Sequence, residues 1–121
     1  MAQRRRILIV DDERDYADVL KDRLEFEGFE VDAAYDGLSG LEAVEGFKPD
    51  LILLDIMMPG MDGFEFASAL KARGCHVPVV FVTAYGRTFS ERERETVGSS
   101  PVIRKPFEAD ELLEVISKSV A

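Results

Sequence analysis

Cysteine and histidine each occur once in these 121 residues, side by side as Cys75 and His76. A single thiol excludes an internal disulfide and fits a reducing cytoplasm. The pair lacks the partners a thiolate or imidazole metal site needs, so it reads as an ordinary loop dipeptide. Long apolar runs are missing too. None reaches the ~18–20 residues of a membrane span, and the basic N-terminus leads into a strand without a signal-peptide core. Basic residues are in deficit, 15 against 24 acidic, for a net charge of −9. That balance favours solubility and argues against direct nucleic-acid binding. Arg4, Arg5 and Arg6 form the one basic run and read as a solvated flank. With no repeat, linker or low-complexity tract, 1–121 reads as one domain, long enough to bury roughly two-thirds of its unfolded surface.

What is present is a series of short apolar runs. Leu51-Ile52-Leu53-Leu54 enters Asp55 directly and is followed by the punctuated loop Ile56-Met57-Met58-Pro59-Gly60-Met61-Asp62-Gly63. A continuous apolar run of this length reads as a strand buried on both faces, the kind found in parallel sheets. Arg6-Ile7-Leu8-Ile9-Val10 is a second, ending on Asp11 and Asp12. Residues 77–82 are a third, tolerating Pro78 only at the start and ending on Thr83. A half-alternating edge strand is expected over 29–34, and a short fifth strand over 101–104, leading into Lys105 and Pro106.

Helical spacing fills the gaps. It predicts a helix over about 13–27 with Tyr16, Val19, Leu20 and Leu24 inward, closed by Gly28. Shorter ones follow over about 38–45 (Leu41 and Val44 inward) and 64–73 (Phe66, Ala67 and Leu70), the latter stopped by Gly74. The last runs over about 108–119, with Leu112, Leu113, Ile116 and Val120 inward. Residues 87–97 are nearly all polar, with Phe89 and Val97 the available anchors, so a short or mobile helix is expected there. Five βα units imply an α/β fold: one five-stranded parallel sheet with helices on both faces and right-handed crossovers.

In a parallel sheet all strand carboxyl ends share one rim, so Asp11, Asp12, Asp55, Thr83 and Lys105 converge. Each close carboxylate pair costs about 4 kcal/mol at 4 Å for an effective dielectric near 20. Either a cation offsets this or one carboxyl stays protonated. Hard oxygen ligands on an open rim suit Mg²⁺, which shares its sphere with a phosphate. The parts match phosphoryl transfer to a carboxylate: Asp55 attacks in line, while Lys105 and Thr83 bind the product's oxygens. The plainer alternative has Asp11 and Asp12 capping the first helix and Lys105 pairing with one of them.

Asp11-Asp12 after an apolar strand, the Leu-Leu-Asp55-Ile-Met-Met-Pro-Gly-Met-Asp-Gly63 stretch, Thr83-Ala84 and Lys105-Pro106-Phe107 together resemble the receiver domain of two-component response regulators, over essentially the whole chain. The resemblance implies a flavodoxin-like sheet of order 2-1-3-4-5. It implies Asp55 as phosphoacceptor and a Mg²⁺ held by Asp11, Asp12, Asp55 and the main-chain carbonyl of Met57. It also implies that Lys105, Thr83 and the adjoining Ala84 stabilise and sense the phosphoryl group, and that the bond before Pro106 is cis. A sensor histidine kinase or histidine phosphotransfer protein would be the donor. A downstream effector domain or docking partner would read the state, and a phosphorylation-linked homodimer is a further expectation.

Two departures accompany the resemblance. Val102 stands where the family usually carries a switching Tyr or Phe, and the fourth helix is depleted of apolar residues. Both point to a non-standard switch. Met57 and Tyr85 stand where family side chains border the water's approach to the acyl phosphate. Both are bulky and neither is a good general base, so autodephosphorylation is expected to be slow. Three other classes compete. A haloacid-dehalogenase-type phosphatase wants an acid/base Asp where Met57 stands. An FMN binder wants a hydroxyl- and glycine-rich loop, where Asp11, Asp12 and Glu13 would repel the phosphate. A degenerate receiver would serve only as an interaction module. Because the sequence stops after the fifth helix, a stand-alone receiver or one cut from a longer protein is expected.

Overall fold

The computed structural model describes residues 4–84 and 86–120. Five strands and five helices alternate along the chain: β1 (Arg6–Val10), α1 (Arg14–Phe26), β2 (Glu30–Ala34), α2 (Gly37–Phe47), β3 (Leu51–Asp55), α3 (Gly63–Ala72), β4 (Val79–Ala84), α4 (Glu91–Val97), β5 (Val102–Lys105) and α5 (Ala109–Ser119). The strands form one sheet in the order β2-β1-β3-β4-β5, and every pairing is parallel.

The two-residue period of the strands divides the core. Ile7, Ile9, Leu51, Leu53, Val80 and Ile103 face α1 and α5, packing with Ala17, Leu24, Leu112 and Ile116. Leu8, Val10, Ile52, Leu54 and Phe81 face the other layer, against Leu41, Phe66, Leu70 and Val97. Alternate residues of a strand point to opposite faces, so a run apolar at every position feeds both layers. Full burial of each Leu or Ile contributes roughly 1.5–3 kcal/mol, which makes β1 and β3 the central ribs of the sheet.

Local chemistry sets the helix starts. Asp36 caps α2 by accepting from Ser39 N–H, and Asp62 and Glu65 form a reciprocal capping box on α3. α4 begins the same way, with Ser90 and Glu93. Each such cap is worth about 1 kcal/mol, enough to hold a seven-residue helix that buries Val97.

Several expectations shift. Val19 is 69% exposed, and Ala17 takes its place in the core. Two positions along a helix is a turn of about 200°, so the buried stripe runs through Ala17 and Leu24 and leaves Val19 outside. β4 starts at Val79, because Pro78 has no N–H for the ladder, and runs on through Thr83 to Ala84. β5 is displaced one residue onward, to end on Lys105. α2 extends to Phe47 and ends at Lys48, which adopts left-handed geometry at φ 55°. α4 is short, as its composition suggests, but Phe89 precedes it, anchoring on Phe64 edge-to-face at 5.6 Å.

Candidate functional site

Asp11 follows β1, Asp55 ends β3, and Thr83 and Lys105 lie at the ends of β4 and β5. The parallel register places them on one rim. Asp55 is opposite Val82, one residue before Thr83, and Lys105 is opposite Ala84. Carboxylate oxygens of Asp11, Asp12 and Asp55 all lie within 4.8 Å of one another. Asp11 and Asp55 are 3% and 4% exposed, so little water screens them.

Lys105 reaches across this group. Its Nζ lies 3.2 Å from Asp11 Oδ2, 3.6 Å from Glu13 Oε1 and 4.0 Å from Asp55 Oδ2. The ammonium rests 4.2 Å from the ring centre of Tyr16, a cation–π contact that fixes its approach. Burial acts to lower the Lys105 pKa, but the charges of Asp55 and Asp11 and the bond to Asp11 outweigh it and raise it. The half-buried Tyr16 hydroxyl is raised by burial and then by the charges of Asp11, Asp55 and Glu13. Asp11 Oδ1 accepts from Glu13 N–H at 2.9 Å, so Asp11 orders the chain entering α1 as well as pairing with Lys105. That much of the plainer reading holds, although the α1 N-cap residue, Glu13, makes no side-chain cap.

Asp55 is pushed up from 3.8 to about 7. Burial is the main cause and the Asp11 charge adds to it, against the opposing pull of Lys105 and a 3.3 Å hydrogen bond from Met57 N–H. The cluster therefore holds more negative charge than one lysine offsets. Three convergent hard oxygen donors fit a small divalent cation, and binding one would favour ionised Asp55. Thr83 gives a second sign of an incomplete site. It is fully buried, and its Oγ1 has no hydrogen-bond partner among the described residues. A buried hydroxyl left unpaired costs about 1–3 kcal/mol, which a ligand oxygen would recover.

The loop after Asp55 is shaped by close backbone approach. A Cβ on Gly63 would lie 2.7 Å from both the Asp55 carbonyl oxygen and Ile56 Cα. Gly60 takes φ +74°, which glycine adopts freely. Met57, 55% exposed, stands over this loop. The Lys105–Pro106 bond is cis. Ala84 is exposed at the end of β4, its carbonyl accepting from Arg87 N–H at 3.3 Å. Val102 is half-buried opposite Phe81 and packs with Phe89 against the α2–α4 layer. Tyr85 lies outside the described residues.

Sequence reasoning missed three participants. Tyr16 was legible as an inward helical residue, but not as the platform for Lys105. Gly63 carried only a turn signal. Arg87 gave no signal at all, since an arginine after a strand looks like any solvated charge.

A family model described as the response regulator receiver domain matches residues 7–117. The chain belongs to the response regulator receiver family. Among relatives of this receiver, DltR of Streptococcus agalactiae serotype III (strain NEM316), a transcriptional regulatory protein, is 39% identical over 108 residues, covering 89% of this chain and 48% of that protein. The response regulator MprA of Mycobacterium ulcerans (strain Agy99) is 36% identical over 108 residues, covering 89% and 47%. The chain thus spans about half the length of these relatives. Among solved structures, FixJ-N superposes with a TM-score of 0.87 at 26% identity, covering 98% of this receiver and 95% of that chain. Vibrio cholerae chemotaxis protein CheY4 gives 0.86 at 28%, covering 97% and 99%. The receiver fold, flavodoxin-like with order 2-1-3-4-5, is thereby established, as is a place in two-component signalling. No helix among the described residues is long and apolar enough to cross a membrane.

Proposed function

We propose that this receiver is a phosphorylation switch in which Asp55 takes a phosphoryl group from a phosphohistidine. The single observation that carries the reading is the convergence of Asp11, Asp12 and Asp55 within 4.8 Å beside Lys105 and the Thr83 hydroxyl, which has no partner among the described residues. Asp55 Oδ attacks phosphorus in line. The bond from phosphorus to the donor's imidazole nitrogen breaks, its electron pair leaves with the imidazole, and an acyl phosphate forms on Asp55. Asp11, Asp12, Asp55 and the main-chain carbonyl of Met57 would hold the cation, Mg²⁺ by the chemistry of the donors. When bound, Mg²⁺ supplies charge neutralisation for the incoming phosphate oxygens and favours the ionised nucleophile.

The chain's own residues account for the rest. Lys105, pulled toward Asp11 in the resting state, turns to the new phosphoryl oxygens, and Thr83 donates its hydroxyl hydrogen to one of them. Ala84, beside Thr83 and exposed, lets the end of β4 approach the phosphoryl group closely. Met57 borders the water's approach, and neither its thioether nor the phenol of Tyr85, which lies outside the described residues, is a good general base, so the acyl phosphate is long-lived. Met57→Asn is expected to shorten its half-life; an unchanged half-life removes that part of the account. Val102 and the polar α4 carry a switch different from the usual inward-turning aromatic. The donor is a sensor histidine kinase or histidine phosphotransfer protein, and an effector domain or docking partner reads the output, with phosphorylation-linked homodimerisation as one form of it. The site of action is the cytoplasm.

The test is incubation with acetyl phosphate followed by intact mass spectrometry. One added phosphoryl group is expected with Mg²⁺, and none with chelator. No incorporation with Mg²⁺ overturns the reading in favour of a receiver that acts only as an interaction module.

A further inference from the structure

Arg87 lies three residues beyond β4, on the rim that carries Asp55. Its backbone is tied down: N–H donates to Ala84 O at 3.3 Å, and its carbonyl accepts from Arg104 Nη1 at 2.8 Å. Its side chain is held by groups that can exchange. Nη2 lies 3.0 Å from Glu93 Oε2, and Nη1 lies 3.4 Å from Glu93 Oε1. Nη1 also donates to Thr88 O at 2.9 Å, and Nε contacts Met57 Sδ at 3.3 Å. The guanidinium carbon is 5.5 Å from the ring centres of both Phe64 and Phe89.

These contacts join two places. Met57, through its N–H, is hydrogen-bonded to Asp55 Oδ1, so the guanidinium stands one side chain away from the candidate phosphoacceptor. Glu93 belongs to the α4 capping box: its Oε1 accepts from Ser90 N–H at 2.9 Å, and its own N–H donates to Ser90 Oγ at 3.1 Å. The Arg87 and Ser90 contacts together hold the Glu93 carboxyl below the usual range. Met57, Asp62 and Arg87 help to wall a pocket of about 440 Å³ beside the loop that follows Asp55.

We propose that Arg87 is a phosphoryl-binding residue: once Asp55 is phosphorylated, its guanidinium leaves Glu93 for the phosphoryl oxygens and so reports the state of Asp55 to the first turn of α4. This rests on the reading of Asp55 as phosphoacceptor. A phosphoryl group carries about −1.5 to −2 of charge, against −1 for Glu93, and its oxygens match the planar fork of a guanidinium. The rim sets Asp11, Asp12, Glu13 and Asp55 against one lysine, and a divalent ion would still leave it net negative, so the added phosphoryl charge favours a further cation beside Lys105. The Phe64 and Phe89 rings give the guanidinium a surface along which to move without full rehydration. Transmission to α4 then needs no aromatic at Val102.

The test is binding of beryllofluoride with Mg²⁺, measured by calorimetry on the native chain, R87Q, E93Q and the double variant, with hydrogen exchange of residues 90–97. R87Q is expected to weaken binding about tenfold, the scale of one lost charge-assisted hydrogen bond. E93Q, which frees the guanidinium, is expected to tighten it severalfold, and that gain is expected to vanish in the double variant. Exchange at 90–97 is expected to change on binding in the native chain and not in R87Q. If the native chain binds but R87Q binds equally well, or E93Q tightens binding as much without Arg87, the inference is overturned and the phosphoacceptor reading stands. Absence of binding by the native chain overturns both.

Discussion

Lys105 on β5 reaches Asp11 at the end of β1, Nζ to Oδ2 3.2 Å, across the ends of the two strands that lie between them. The pair sets the resting charge balance of the rim, because it leaves Asp55 at 4.0 Å from the same ammonium. Lys105 is thus the counter-ion of a buried carboxylate, apart from the phosphoryl-binding role proposed for it.

Replacing Lys105 by Met exposes that first role. Asp11 would remain buried with one oxygen on Glu13 N–H and no cation, and an uncompensated buried charge is expensive. Urea unfolding in chelator is expected to show a loss of about 1–3 kcal/mol, partly restored by Mg²⁺. Equal loss with and without the ion would place the lysine's contribution in packing against Tyr16 instead.

Asp55 dictates a pH dependence with a definite sign. Its folded pKa is raised from 3.8 to about 7, so the folded chain keeps a proton that the unfolded chain has released. The stability this provides is complete below pH 4, declines as pH rises toward 7, and is gone above it. Asp55→Asn removes the group, so without divalent cations the variant's stability relative to native is expected to improve between pH 4 and 7 by a few kcal/mol, on the order of 1.4 per pH unit crossed. A native-minus-variant difference that stays flat across this window contradicts the assignment.

Thr83 separates stability from function. Thr83→Val keeps the shape and removes a buried hydroxyl that has no partner among the described residues, so the resting fold is expected to be unchanged or up to about 1 kcal/mol more stable. Beryllofluoride affinity is expected to fall severalfold in the same variant. A destabilised variant with native affinity would mean that the hydroxyl serves the fold.

Gly63 guards the loop behind Asp55. Its substitution by Ala drives a Cβ into main-chain atoms of Asp55 and Ile56, which cannot rotate aside. A loss of about 2 kcal/mol or more is expected in thermal or urea unfolding, from overpacking against rigid backbone. An alanine variant as stable as the native chain would show that the loop moves freely.

The sheet was legible because strands buried on both faces leave uninterrupted apolar runs, and a parallel sheet gathers whatever follows them. That is why the convergence of Asp11, Asp55, Thr83 and Lys105 is legible in the sequence. Helix faces were less legible. Val19 fits an amphipathic stripe as well as Ala17 does, and only the packing of α1 on Ile7 and Ile9 decides between them. The Ser90-x-x-Glu93 spacing announces the start of α4, yet within a run of alternating charges it reads first as ion pairs along a helix. Arg87 was invisible, because its contacts with Met57 and Glu93 arise from a turn that sequence spacing does not encode.

Borohydride reduction of the chain after acetyl phosphate treatment tests the central claim most directly. An aspartyl phosphate is reduced to homoserine, so peptide mapping reads the acceptor position by residue. The expected result is homoserine at position 55, dependent on Mg²⁺. Conversion at another carboxylate, or none at all, would contradict the assignment of Asp55.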